Sequence, residues 1–276
     1  MFLFLCFFMN ALLCSLVTGS EKAFFNSSPR IVGGKVANIT NHPYVAYLKL
    51  FHNYFLPRDY SECVAVILSK DWLLTAAHCF DDPYVRAYIH AGSSEKLGKD
   101  GLYTFIKPPV IHPYYDKNSS DYDFALVMTN VKIDFSGTID YLDLPTDEDE
   151  IRNGDLCWTA GWGDLTRYKS VDDAPDEADL LHEVMLPIFS HSICNELIYG
   201  NTLTKRMICA GYANATSFKS PCSGDSGAPL VCERLLFGIL SFRKDYEPCG
   251  KNPAVFGRVK SIRKWIENET GIEPKK

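Results

Sequence analysis

Eight cysteines downstream of an uncharged apolar leader constrain this 276-residue chain more than any other feature. The first twenty residues carry no charge, and Phe2 to Val17 is almost entirely apolar before the small residues Thr18, Gly19 and Ser20. Such a segment reads as a secretory signal peptide over residues 1–20, cut near Gly19 or Ser20. It implies a secreted, extracellular product with no membrane contact after cleavage. The usual basic n-region is missing, so an uncleaved membrane anchor stays open as the alternative. Of the ten cysteines, Cys6 and Cys14 fall in the leader. Cys63, Cys79, Cys157, Cys194, Cys209, Cys222, Cys232 and Cys249 form an even set, as a disulfide framework requires. Spacing alone leaves on the order of a hundred pairings open. Sequons at Asn26, Asn38, Asn118, Asn214 and Asn268 suit the same route, the last four as candidate glycosylation sites.

Between its cysteines the chain is patterned as strand and turn. Tyr44 to Leu50, Cys63 to Leu68, Phe124 to Met128, Leu230 to Cys232 and Leu235 to Leu240 are β-type runs separated by Gly, Pro, Asn and Asp clusters. That pattern predicts an all-β sandwich or barrel. Val259, Ile262, Trp265 and Ile266 recur at helical spacing, which predicts a closing amphipathic helix over about 257–269. Two acidic stretches, Asp147 to Glu150 and Asp172 to Asp179, lack strand patterning and are expected to be solvated loops. A net charge of −6 gives no reason to expect a nucleic-acid partner.

Chemistry concentrates in three short segments. Cys222-Ser223-Gly224-Asp225-Ser226-Gly227 sets a serine between glycines, where a tight turn exposes the hydroxyl and backbone N–H groups converge on an oxyanion. A serine hydroxyl is a weak nucleophile and needs a base, which Thr75-Ala76-Ala77-His78-Cys79 offers. An imidazole held in one tautomer needs an acceptor, and Asp123 stands at the edge of the apolar run Phe124 to Met128. Taken singly these are weak signals, because a lone histidine is usually structural and a lone aspartate before a strand is usually a turn residue.

In this order, with Ile31-Val32-Gly33-Gly34 at the start and Gly161-Trp162-Gly163 between, the segments resemble the chymotrypsin-type serine proteases over about Ile31 to Glu269. The resemblance implies two six-stranded antiparallel β-barrels with the active site between them, followed by a C-terminal α-helix. The N-terminal barrel would span about 31–140 and the C-terminal barrel about 141–256 of a peptidase domain over 31–276. By the same resemblance His78, Asp123 and Ser226 form a triad, Gly224 and Ser226 supply the oxyanion hole, and the disulfides are Cys63–Cys79, Cys157–Cys232, Cys194–Cys209 and Cys222–Cys249. Residues 21–30 would be a short activation propeptide. An activating protease would cut after Arg30, freeing the Ile31 amino group to pair with Asp225. Polypeptide substrates and macromolecular serine protease inhibitors are the implied partners. The resemblance implies no cofactor and no metal, since Ser93 stands where calcium-binding members begin an acidic loop.

The sequence departs from the family pattern in places. Ala228 replaces a usual glycine, which would strain the backbone if φ there is positive. Val64 and Ala65 follow Cys63 in place of paired glycines. The substrate pocket implied by the resemblance is lined by Ser220 at its base with Ser241, Phe242, Arg243 and Ala254. A neutral Ser220 disfavours strict Arg or Lys selection at P1, the substrate residue before the scissile bond. Small or medium apolar P1 is the leading expectation, and Arg243 keeps acidic P1 open as the second. A non-catalytic binding protein on the same scaffold is the competing function, although none of the three triad positions is replaced.

Overall fold

The computed structural model describes residues 32–56, 58–163, 180–200, 202–213, 219–244 and 249–275. The expected signal peptide, Arg30, Ile31, Asn26, Asn214 and the acidic stretch Asp172 to Asp179 lie outside them. After the short strand β1 (Lys35–Val36) come β2 (Val45–Phe51), β3 (Tyr60–Ile67), β4 (Trp72–Thr75), β5 (Arg86–Ala91), β6 (Leu102–Phe105), β7 (Val110–Ile111) and β8 (Ala125–Met128). Then follow β9 (Leu156–Gly161), β10 (His182–Phe189), β11 (Met207–Ala210), β12 (Pro229–Cys232), β13 (Leu235–Phe242) and β14 (Ala254–Arg258).

These strands make two sheets. The first runs β6-β5-β2-β3-β4-β8-β7 and curls with β6 and β7 at its margins. The second runs β10-β11-β14-β13-β12-β9, and β9 pairs again with β10 to close a six-stranded barrel, with β1 added on β10. All pairings between named strands are antiparallel. The chain is therefore mostly β with a short C-terminal helix, as expected.

Burial explains why the strands read as runs and not as strict alternation. In β2 the six residues Val45 to Leu50 are all buried, because the curled sheet encloses one face while the second sheet and loops cover the other. Even Lys49 is buried, its ammonium lying 3.3 Å from the centre of the Tyr60 ring. The five β-type runs fall on β2, β3, β8, β12 and β13 with ends shifted by a few residues.

The C-terminal segment differs from its expected bounds. Gly257 and Arg258 belong to β14, where a Cβ on Gly257 would stand 2.5 Å from the Phe124 ring. A 3-10 turn, Val259–Ile262, precedes the α-helix Arg263–Thr270, and Gly271 ends it at φ 73° with its N–H on the Glu267 carbonyl. Val259, Ile262 and Ile266 are the residues it buries.

The acidic loop before β9 is a loop, but the helix segment grips it. Lys260 Nζ donates to the carbonyls of Asp147 (2.7 Å) and Asp149 (3.1 Å) and to Glu150 Oε1 (3.1 Å), and Arg263 donates to the Pro145 carbonyl and pairs with Asp147. This loop belongs to the crossing from the first sheet to the second.

Candidate active site

His78 follows β4 on a 3-10 turn, Ala77–Phe80, whose N-terminal neighbours Ala76 and Ala77 are small enough to be fully enclosed. Asp123 immediately precedes Phe124 and β8, and its carboxylate is buried. That carboxylate accepts three hydrogen bonds: the His78 backbone N–H on Oδ1 (2.8 Å), and His78 Nδ1–H (2.7 Å) and the Ser241 hydroxyl (2.5 Å) on Oδ2. With Asp123 as acceptor the proton sits on Nδ1, which leaves Nε2 as the basic nitrogen. Burial opposes charging the imidazole, but the hydrogen bond and charge of Asp123, with Asp81 adding to them, overcome it and raise the His78 pKa above its ordinary value.

Ser226 arrives from the second sheet on the loop before β12. Its carbonyl accepts the Val64 N–H at 2.7 Å, and the Val64 carbonyl accepts the Thr75 hydroxyl at 2.7 Å. Val64 lies in β3 beside Cys63, which is bonded to Cys79, the neighbour of His78. The serine loop and the histidine turn are thus fastened to the same strand.

Two glycines let that loop close. Gly224 (φ 87°) and Gly227 (φ 84°) both occupy the left-handed region, and a Cβ on Gly227 would stand 2.0 Å from the Val64 carbonyl oxygen. Ala228 has no positive φ and is buried at 1% exposure, so the positive φ falls on Gly227 instead, where glycine carries it without strain.

Asp225, between these glycines, is completely buried. It accepts the N–H of Gly163 on Oδ1 and of Cys222 on Oδ2, each at 2.8 Å. The Gly161-Trp162-Gly163 segment follows from this seating, since a Cβ on Gly161 would lie 2.3 Å from Asp225 Oδ1 and one on Gly163 2.4 Å from its Cγ. Burial pushes the Asp225 carboxyl up to about 6 against the two backbone N–H groups and the field of Lys96 and Arg243.

Lys96 is itself buried, bonded at 2.6 Å to Glu62, which also accepts the Tyr47 hydroxyl. Nothing in the polar run Ser93 to Lys99 signals that one of its lysines is internal, and a single-sequence reading has no means of finding it.

The four disulfides join Cys63–Cys79, Cys157–Cys232, Cys194–Cys209 and Cys222–Cys249, as the resemblance implied. The last ties the serine loop to the segment before β14. Of the expected pocket residues, Ser220 is buried and its hydroxyl donates to the Pro221 carbonyl at 2.8 Å, leaving a neutral wall. Ala254 is buried at the start of β14, and Phe242 packs edge-on against Tyr199. Arg243 reaches across to Ser223, with Nη2 3.3 Å from its hydroxyl. Asn38, Asn118 and Asn268 are all exposed.

Among the described residues no helix is long and apolar enough to cross a membrane.

The chain is similar to known proteins in sequence and in fold. The sequence model of the Trypsin family matches residues 31–266. Human transmembrane protease serine 5 is 30% identical over 250 residues, 87% of this chain and 51% of that protein, so the chain spans about half its length. Trypsin 5G1 of Aedes aegypti is 30% identical over 249 residues, 89% of this chain and 87% of that protein. The solved structure of GrC superposes with a TM-score of 0.75 at 26% identity, and that of HL collagenase with 0.74 at 25%. Each covers 88% of this chain and all of the solved chain.

Proposed function

Because the chain belongs to the trypsin family of serine proteases, we infer that it is a secreted serine endopeptidase made as a zymogen and activated by cleavage after Arg30. The observation that carries the reading is the hydrogen bond from His78 Nδ1 to the buried Asp123 carboxylate, which leaves Nε2 available as a base. In this mechanism His78 takes the Ser226 proton as the hydroxyl oxygen attacks the peptide carbonyl, and the N–H groups of Gly224 and Ser226 hold the oxyanion. His78 then gives that proton to the leaving amine, and water, activated the same way, releases the acyl group. Asp123 keeps the imidazole in one tautomer and stabilises its charged form. The freed Ile31 amino group pairs with Asp225, supplying the cation that a buried carboxylate lacks when only backbone N–H groups solvate it.

Small or medium apolar P1 residues are the preferred substrates. A neutral Ser220 offers no partner for Arg or Lys, and the Arg243–Ser223 contact narrows the mouth against large aromatic rings. Acidic P1 is the second reading, carried by the guanidinium at that mouth. The test is cleavage of a diverse peptide library by protein processed at Arg30, with Ser226→Ala as control. Cleavage that disappears in the control supports the mechanism. A folded, processed sample that cleaves nothing overturns it in favour of a binding protein on the same scaffold.

A further inference from the structure

Asp123 hangs from a distorted stretch of backbone. Ser120 (φ 54°) and Tyr122 (φ 51°) both sit in the left-handed region without being glycine, a conformation that costs ~1–3 kcal/mol at each position and persists only where its surroundings enforce it. Between Tyr122 and Phe124 the chain turns tightly: the Phe124 N–H donates to the Tyr122 carbonyl at 2.7 Å, with Asp123 at the apex. Where the Asp123 carboxylate points therefore depends on what keeps Tyr122 in place.

Residues from three other segments keep it there. The Arg206 guanidinium lies over the Tyr122 ring, 4.7 Å from the ring centre. The His112 imidazole also stacks on that ring, at 4.5 Å and 11°, and Trp265 of the C-terminal helix meets His112 edge-on at 4.7 Å.

The same guanidinium grips the preceding residue. Arg206 Nε donates to both oxygens of Asp121 (2.9 and 3.2 Å), Nη2 pairs with Oδ2, and the Thr204 hydroxyl donates to Oδ1 at 3.0 Å. Burial opposes the Asp121 charge, but these partners hold its carboxyl below the usual carboxylate range. Arg206 is anchored in turn, since its carbonyl accepts the Arg258 N–H at 2.7 Å where β11 meets β14.

Arg206 and Thr204 thus reach over from the second sheet, while Asp121, Tyr122 and Asp123 lead into β8 of the first. We propose that Arg206 is a positioning residue for the proteolytic site, a cross-barrel clamp that holds Asp121 and Tyr122 so that the Asp123 carboxylate stays aimed at His78. The inference rests on the peptidase reading only for its kinetic consequence; the aim of Asp123 at His78 is a matter of geometry. A planar fork that binds a carboxylate in two places while stacking on a ring suits arginine, and lysine can supply its charge but neither its fork nor its stacking face.

The test compares wild type with Arg206→Met and, should that variant fail to fold, with Arg206→Lys. The titration of His78 is followed by NMR in the Ser226→Ala background, the resonance being identified by its loss in His78→Ala. Because Asp123 raises the His78 pKa, releasing the clamp is expected to lower the His78 midpoint by about half a unit or more in Arg206→Met, and by less in Arg206→Lys. In the processed enzyme kcat is expected to fall ~10–100-fold with KM nearly unchanged, as for a small misplacement of a catalytic group. A variant that melts earlier while the His78 midpoint and kcat stay put overturns the clamp and leaves Arg206 a structural residue. If the wild type cleaves nothing but the His78 midpoint still moves, the clamp stands and the peptidase reading falls.

Discussion

The Ser241 hydroxyl donates to Asp123 Oδ2 at 2.5 Å across 118 positions of sequence, from β13 of one sheet to the loop before β8 of the other. Replacing Ser241 with alanine takes a donor from a buried carboxylate that has no access to water for compensation. The expected cost is ~1–3 kcal/mol, read as a lower melting temperature by ~2–4 °C for each kcal/mol in a protein of this size. A melting curve that coincides with wild type would show that the two backbone-held and imidazole donors suffice.

Gly227 and Ala228 are expected to respond in opposite senses to the exchange of glycine and alanine. Gly227→Ala forces a Cβ to within 2.0 Å of the Val64 carbonyl oxygen at a φ of 84°, which is expected to cost ~3 kcal/mol or more and to abolish activity by moving Ser226. Ala228→Gly, at an ordinary φ and in a packed interior, is expected to lose about 1–2 kcal/mol and to bring no gain in rate. A faster Ala228→Gly enzyme would revive the idea that the alanine strains the loop. Chemical denaturation together with kcat distinguishes the cases.

Asp225 makes the uncleaved chain sensitive to pH. Its carboxyl is pushed up to about 6 by burial, well above the ~3.9 of an unfolded aspartate. A folded state that keeps a proton the unfolded state releases loses stability as pH rises, so this contribution is full below about pH 4 and gone above about 6. In protein blocked at Arg30, the urea midpoint of wild type is expected to fall relative to Asp225→Asn across that interval. Cleavage after Arg30 should abolish the difference in slope by providing the Ile31 cation. Parallel midpoints for the two blocked proteins would mean that other groups set the carboxyl's ionisation.

Arg243 is expected to control which side chains enter the pocket. Arg243→Gly removes the bridge to Ser223 and should raise kcat/KM for large aromatic P1 residues by ~10-fold or more, with little change for alanine. Profiling both enzymes on one peptide library reads the shift directly, and identical profiles would place the guanidinium outside the pocket. Loss of cleavage after Asp or Glu in the variant would instead favour the acidic reading.

How legible this protein was depended on the distance over which its residues act. The serine and histidine loops could be read because turn geometry restricts them locally: Gly224 and Gly227 are needed for positive φ, and Ala76 and Ala77 for an enclosed turn. The strands β2, β3, β8, β12 and β13 were visible as apolar runs. By contrast β10 carries the buried pair of Glu183 with His42, which breaks the apolar pattern while satisfying itself internally. Lys96 and Asp121 look like surface charges in sequence, because the partners that take them out of solvent are 34 to 85 positions away, and nothing local marks Arg206 as the partner of Asp121. The disulfide pairing was available only through resemblance.

The grip of Lys260 and Arg263 on Pro145 to Glu150 also bears on the order of events during synthesis. These contacts join residues 110 to 118 positions apart, and the latching side is made after every strand of both sheets. A chain that has emerged only as far as Arg258 holds all its β-structure but leaves the crossing between the two halves unfastened. The two sheets can already meet through Val64 with Ser226 and Asp123 with Ser241, and what the C-terminal segment adds last is the fastening of the loop that crosses between them.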